Sequence, residues 1–328
     1  MPDYYNIESA LKKGMSWNVV IGGRGIGKTY STLQKAVDEG KKIILMRYTK
    51  KEVSYCSSKK GNPFKKLNAK RGWHIEVAVS GEGIGIISDE ETHEMVGYVI
   101  SLADISDVKS IDFSEIDWIV FDEIVRKKNS RRLIQTPGTD FLDFVETVAR
   151  NRELEGEDPV KIIMLSNSTN YESEILLELN ITREFEVMLS KGHRRRTIRE
   201  RDLFIEMPLS SVSEEKRNTS LYRFARGTNF ERMALGNEFA YDDFYNVRAQ
   251  KVIEYIPLVS YGSLVIYQHK SDSRYYARIG TESCPHFDEN THVLFKRNFG
   301  ITLEEAEICG NLIFENLHAK LLYHKAIE

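Results

Sequence analysis

Gly22-Gly23-Arg24-Gly25-Ile26-Gly27-Lys28-Thr29 meets every fixed position of the phosphate-loop pattern G-x-x-x-x-G-K-[ST]. The residues around it supply the context that such a loop needs. Trp17-Asn18-Val19-Val20-Ile21 is a short apolar run suited to a buried parallel strand, and Tyr30, Leu33, Ala36 and Val37 recur downstream at helical spacing. Glycines without Cβ atoms let backbone N–H groups close around phosphate oxygens, and the helix N-terminus adds the positive end of its dipole. In this pattern Lys28 reaches the β- and γ-phosphates of a nucleotide such as ATP, and the Thr29 hydroxyl sits on Mg2+. A glycine-rich turn that binds nothing is the competing interpretation, and the flanking strand and helix argue against it. Arg24 is an unusual occupant of the loop; it either senses the nucleotide or pairs with a carboxylate.

Trp118-Ile119-Val120-Phe121-Asp122-Glu123 is the second informative stretch, four apolar residues running into two carboxylates. A buried strand ending this way suits metal-assisted hydrolysis of a triphosphate: Asp122 holds the Mg2+ shell and Glu123 orients and deprotonates water. Lys41 to Tyr48 gives a further strand, which ends in an arginine and completes a βαβ unit with the phosphate loop. Because Ile43 to Met46 lies between the two motifs in sequence, the expected class is the phosphate-loop ATPase with an additional strand and a catalytic glutamate. Its core is a central, mainly parallel sheet.

Residues 50–71 are rich in Lys with Ser, Asn and Gly, and read as a basic, loop-rich stretch, either a solvated face or a track for a phosphate backbone. Three alternating segments between Trp73 and Leu102 predict an antiparallel meander attached to the sheet. Lys109, in the loop that follows, is by itself an ordinary exposed lysine. Phe141, Leu142, Phe144, Val145 and Val148 outline an amphipathic helix ending at Arg150-Asn151-Arg152-Glu153. Its arginines are either helix-dipole partners or a finger for a neighbouring subunit's nucleotide. Lys161 to Leu165 is one more buried strand, and Ser166-Asn167 at its end is a γ-phosphate sensor or a plain polar strand end. A second basic cluster lies between Lys191 and Arg201, and a strand from Leu203 to Met207 stops at Pro208.

The chain has 328 residues, a net charge of −3 and 29% charged residues, which favours two globular domains and gives no global nucleic-acid signal. We expect an ATPase domain over 1–208, a linker over 209–244 and a small α+β domain over 245–328. That last domain carries strands at Val252 to Ile256, Ser263 to Tyr267 and Tyr275 to Ile279, and a helix from Leu303 to Tyr323. Cys56, Cys284 and Cys309 are too far apart for a disulfide framework or a zinc knuckle, and a reducing cytosolic setting fits them. No apolar run is long enough to span a bilayer and the polar start does not read as a cleavable signal, so no membrane partner is expected. Cys284 to His292 contains metal-ligand residue types without a ligand spacing.

Taken in order, the phosphate loop, Ile119-Val120-Phe121-Asp122-Glu123, Val148-Ala149-Arg150-Asn151-Arg152-Glu153 and Leu165-Ser166-Asn167 resemble the genome-packaging ATPases of small short-tailed bacteriophages. These are compact relatives of the large terminases, best known from a Bacillus phage. The likeness covers most of the first two-thirds of the chain, continues weakly through Phe204-Ile205-Glu206-Met207-Pro208 and the linker, and fades in the last hundred residues. It implies a homo-oligomeric ring motor, usually a pentamer, docked at the portal of an empty prohead in the host cytoplasm and driving double-stranded DNA inward with each ATP hydrolysed. A structural packaging RNA is a further partner left open. By position Arg150 resembles the family's trans-acting finger, Lys109 its basic loop toward the DNA channel, and Lys50 a weaker companion. The tail would resemble a ribonuclease-H-type nuclease that has lost its activity. Two other functions stand beside the motor: a terminase-like ATPase whose tail still cuts DNA, and a nucleotide-gated assembly protein without translocation.

Overall fold

Near-continuous apolar strands and amphipathic helices alternate through the first part of the chain, and a parallel sheet covered on both faces buries them all. The computed structural model describes residues 3–79, 83–108, 111–125, 134–167, 173–236 and 246–327. They form two compact units, one of residues 1–179 and 187–240 and the other of residues 180–186 and 241–328.

In chain order the first unit holds α1 (Glu8–Leu11), β1 (Trp17–Gly22), α2 (Lys28–Asp38), β2 (Ile43–Arg47), α3 (Lys50–Cys56), α4 (Lys65–Arg71), β3 (Ile75–Val79), β4 (Ile84–Asp89) and β5 (Met95–Ser101). There follow β6 (Trp118–Asp122), α5 (Pro137–Ala149), β7 (Lys161–Asn167), α6 (Glu174–Glu178), α7 (Thr182–Ser190), whose first turn belongs to the second unit, β8 (Arg195–Ile198), β9 (Leu203–Glu206), α8 (Ser211–Lys216), α9 (Ser220–Phe224) and α10 (Asn229–Gly236). The described residues make a nine-stranded sheet in the order β3-β4-β5-β2-β6-β7-β1-β9-β8. From β5 to β9 every pairing is parallel, while β3, β4 and β8 are antiparallel at the margins. The expected meander is therefore present on one side of a mainly parallel sheet.

The strand that separates the phosphate-loop strand from the Asp122 strand is β7, which follows both in sequence; β2 lies on the far side of β6. The added strand between the two motif strands is thus Lys161–Asn167 and not Ile43–Arg47. Chain order and sheet order diverge because parallel neighbours are joined by crossover connections, which need not set consecutive strands side by side, and β7 enters between β6 and β1.

Two segments expected to be irregular are helical. The basic stretch forms α3 and α4, with a Thr49–Glu52 capping box starting α3 and Val53, Cys56, Phe64 and Leu67 buried beneath the lysines. The expected linker from 209 is α8, α9 and α10, part of the first unit as far as 240, with Val212, Tyr222, Ala234 and Leu235 buried. The polar composition that suggested a linker is the exposed face of these short helices.

The second unit carries β10 (Tyr255–Tyr261), β11 (Leu264–His269), β12 (Tyr275–Ile279), β13 (His286–Phe287), α11 (His292–Phe295), a π-helical segment over Lys296–Gly300, α12 (Ile301–Ile308), β14 (Leu312–Phe314) and α13 (Leu317–Ile327). Its five-stranded sheet has the order β13-β10-β11-β12-β14. Val259, Leu264, Ile266, Phe295, Leu303, Leu312, Phe314 and Tyr323 share one core. The single helix expected from Leu303 to Tyr323 is two helices with β14 between them, because Gly310 takes φ 73° and Leu312 to Phe314 pair in parallel with Tyr275 to Ala277. The first tail strand begins at Tyr255, and Val252–Glu254 is a 3-10 turn.

Among the described residues no helix is long and apolar enough to cross a membrane.

Candidate nucleotide site

Strand register explains why residues far apart in sequence share one site. Gly22 lies opposite Asn167 across β1 and β7, and Met46 opposite Phe121 across β2 and β6, so Arg47 and Asp122 leave the sheet at one level. All four strands point their carboxyl ends to the same edge, the edge at which open α/β sheets bind ligands. Backbone conformation does the rest: Gly27 caps α2 with φ 101°, a value that only glycine adopts at little cost, and turns the chain sharply into the helix.

Lys28, the first residue of α2, is buried, and its Nζ donates to the carbonyls of Gly22 at 2.8 Å and Gly23 at 2.9 Å and to Oδ1 of Asn167 at 3.3 Å. Burial pulls the ammonium pKa down to about 8 against the opposing pull of Asp122. Thr29 donates from Oγ1 to Oδ2 of Asp122 at 3.0 Å. The same carboxylate oxygen meets the Arg47 guanidinium at 3.1 Å. Burial works against the Arg47 charge, yet Asp122 and its neighbours prevail and hold the pKa above the ordinary arginine value.

Glu123 follows Asp122 out of the sheet, exposed and at φ 61°, and its N–H donates to Oδ1 of Asp122 at 3.1 Å. A non-glycine residue in this region carries strain that the surroundings must impose. They do so by pinning the next two residues to β7: Ile124 N–H donates to the Leu165 carbonyl at 3.1 Å, and Val125 N–H to Ser166 Oγ at 3.2 Å. Ser166 and Asn167 therefore have distinct tasks, the hydroxyl fixing the acidic turn and the amide contacting Lys28.

The loop is covered by two segments that the motif does not reveal. Tyr5 N–H donates to the Ile26 carbonyl at 2.9 Å, and a Cβ on Gly27 would lie 3.3 Å from the Tyr4 ring. From the other side a Cβ on Gly23 would meet the Ala234 carbonyl at 2.9 Å and Ser213 Oγ at 3.3 Å, and Lys216 Nζ donates to the Arg24 carbonyl. Arg24 itself is exposed.

Among the residues singled out from sequence, Gly22, Gly23, Arg24, Gly25, Ile26, Gly27, Lys28, Thr29, Asp122, Glu123 and Asn167 thus come together at one sheet edge. Arg150 stands apart from them at the C-cap of α5, exposed, at φ 44° and ψ −128°, with its charge felt by Asp112. Arg152, the other arginine of that helix end, is tied to Glu157 at 3.0 Å and to the Ile116 carbonyl. Lys50, at the start of α3, is exposed and paired with Asp104 at 3.0 Å. Lys109 lies outside the described residues.

Arg47, Tyr5 and Lys216 were missed as members of the site. Arg47 had a legible signal, a charge ending an apolar strand at the ligand-binding edge; the other two have none, because tertiary packing alone brings them there. The donor set suits Mg2+ with a nucleoside triphosphate: a hydroxyl and a carboxylate already in contact, beside a buried ammonium resting on backbone carbonyls that phosphate oxygens would replace.

Comparison with known proteins places the chain as a whole. The DNA packaging proteins of Bacillus phages PZA and phi29 are each 29% identical over 244 residues, 73% of this chain and 67% of theirs. That of Bacillus phage B103 is 27% identical over 230 residues, 69% of this chain and 64% of its own. In fold the chain is similar to the bacteriophage Phi-29 viral genome packaging motor assembly, at 22% identity with a TM-score of 0.69 over 99% of this chain and 100% of that one. It is also similar to the Phi-28 gp11 DNA packaging motor, at 18% identity and a TM-score of 0.65 over 99% and 98%. The family model for the podovirus DNA encapsidation protein (Gp16) matches residues 2–287, and with most of its length inside that match the chain belongs to this family.

Proposed function

We propose that this protein is the ATPase of a DNA-packaging motor, hydrolysing ATP at subunit interfaces of a homo-oligomeric ring to drive double-stranded DNA into a prohead. The observation that carries the reading is the meeting of Lys28, Thr29, Asp122 and Asn167 at one sheet edge with a strained, exposed Glu123 beside them. Lys28 leaves the carbonyls of Gly22 and Gly23 for phosphate oxygens, and Asn167 keeps it aimed. Thr29 and Asp122 hold Mg2+, which when bound supplies positive charge to the polyphosphate. Glu123 accepts the proton of the attacking water. Arg24 projects from the loop as a sensor of the nucleotide.

Arg150 acts on the nucleotide of a neighbouring copy. Its exposure at the C-cap of α5 and the commitment of Arg152 to Glu157 favour that role. Ring stoichiometry of five, docking on the portal and a packaging RNA belong to the same proposal and rest on the family. Lys50 and Lys109 are its DNA-contacting residues; a grip through phosphates is largely independent of sequence and weakens with salt. The segment 1–208 with the helices after it forms the ATPase part, and the remainder a vestigial nuclease-like part. Asp288 is engaged as a cap for Asn290 and Thr291, which favours the vestigial reading.

The deciding experiment is steady-state ATP hydrolysis with and without double-stranded DNA for wild type, Glu123→Gln, Arg150→Ala and an equal mixture of the two variants. Each variant alone is expected to be nearly inactive and the mixture to recover activity, because mixed interfaces pair an intact Glu123 site with an intact Arg150. Full DNA-stimulated turnover by Arg150→Ala would remove the finger. Turnover of assembled wild type that ignores DNA would favour a nucleotide-gated assembly protein.

A further inference from the structure

Lys216 closes α8, in the segment expected to be a linker, yet its ammonium lies on the phosphate loop. It donates to the Arg24 carbonyl, and a Cβ on Gly25 would lie only 2.8 Å from its Nζ. The helix that carries it is anchored rather than loosely draped. Ser210 Oγ caps it by accepting from Val212 N–H at 3.2 Å, Ser213 lies against Gly23, and Ser210 and Ser211 exchange hydrogen bonds of 2.7 Å with the backbone of Asp3.

Two ammonium groups therefore occupy the carbonyls of three consecutive loop residues, Lys28 on Gly22 and Gly23, Lys216 on Arg24. Burial makes the Lys216 charge harder to hold. Around one glycine loop stand four cations, Arg24, Lys28, Arg47 and Lys216, against the carboxylates of Asp122 and Glu123. Like charges gathered this closely repel one another unless an anion joins them. The surplus of two positive charges is equal and opposite to the net charge of Mg2+ with a fully ionised nucleoside triphosphate.

We propose that Lys216 is a phosphate-binding residue of the nucleotide site, supplied from α8 and exchanging the Arg24 carbonyl for an oxygen of the polyphosphate. This assignment rests on the nucleotide site described under Proposed function. It adds a contact from outside the phosphate loop, through which occupancy of the loop is felt by the helices that follow β9.

Equilibrium binding of a fluorescent ATP analogue with Mg2+ tests it, on the full chain as wild type, Lys28→Ala and Lys216→Gln, each at two salt concentrations and each with a melting curve without nucleotide. Binding by wild type that is lost in Lys28→Ala establishes the site itself; binding by neither, or equally by both, would sink that site and the role of Lys216 with it. Given the site, Lys216→Gln is expected to bind at least about tenfold more weakly, the scale of one charged hydrogen bond. Its melting midpoint should be unchanged and its affinity less sensitive to salt. Affinity equal to wild type overturns the proposal. So does a loss that comes with a matching fall in melting midpoint and unchanged salt sensitivity, since Lys216 would then only strap α8 to the loop.

Discussion

Arg150 and Glu123 share a property that packing alone does not require: both hold positive φ without being glycine, at 44° and 61°. Such residues cost about 1–3 kcal/mol each and persist where the surroundings fix them for a task. For Arg150 this yields a prediction with opposite signs for stability and activity. Arg150→Gly relieves the backbone and is expected to stabilise the fold by about 1 kcal/mol, less the entropy that glycine restores to the unfolded chain, whereas Arg150→Ala gains nothing. Both should abolish turnover. Chemical denaturation beside an ATPase assay checks it, and a glycine variant less stable than the alanine one would show that the conformation is not strained. Glu123→Gln, by contrast, keeps the backbone and should keep nucleotide affinity within about twofold of wild type while losing hydrolysis; equilibrium binding would expose any larger role in holding the ligand.

Elements are held in register by a few contacts whose loss is costly. Gly97 of β5 adopts φ 150° where a Cβ would lie 1.8 Å from the Ile43 carbonyl, so any side chain there pushes β5 off β2. Gly97→Ala is expected to destabilise the first unit by about 3 kcal/mol or more, read as a fall in denaturation midpoint. At the other margin Glu206 of β9 is fully buried and accepts from Tyr5 Oη at 2.9 Å, Ser9 Oγ at 3.0 Å and Arg195 Nε at 2.6 Å. This carboxylate ties β8 to β9 and holds the N-terminal segment that covers the phosphate loop. Burial, reinforced by Glu206, pushes the Tyr5 phenol well above its ordinary range, so it stays a donor. Arg195→Ala removes the guanidinium paired with the buried Glu206 and should cost about 3 kcal/mol. Denaturation of that variant with and without Glu206→Gln checks the cause, since the second substitution should restore most of the loss.

At the scale of the whole molecule, the two units have separate cores. In the second, Glu186 accepts the Leu317 N–H at the start of α13, and burial pushes its carboxyl pKa up to about 7 from 4.5. Between those values the native state keeps a proton that the unfolded chain releases, so stability is fully present below about 4.5 and declines as pH rises to about 7. Glu186→Gln keeps an acceptor without the charge and should flatten this dependence. Melting curves of both proteins at pH 5 and pH 8, in about that spacing around the shifted value, check it; a wild type equally sensitive with Gln in place would point to another group.

Legibility followed distance along the chain. Gly22 to Thr29 and Asp122-Glu123 were readable because each is a local device: a glycine turn entering a helix, and an apolar strand running into carboxylates. The mainly parallel sheet was equally readable, since strands buried on both faces are apolar throughout. Sequence by itself thus determined the class of fold, the glycine turn that enters α2 and the apolar strand that runs into Asp122-Glu123. Sheet order was not local information, and only the tertiary structure put β7 rather than β2 between the two motif strands. It also decided that Arg47 meets Asp122, that Ser213, Lys216 and Ala234 lie against the loop, and that Arg150 and Arg152 part company at one helix end. The physical reason is common to all of these. Exposed polar helices, solvated linkers and buried ion pairs draw on the same residues, and composition cannot separate them until the chain has closed and burial assigns each charge a partner or leaves it to solvent.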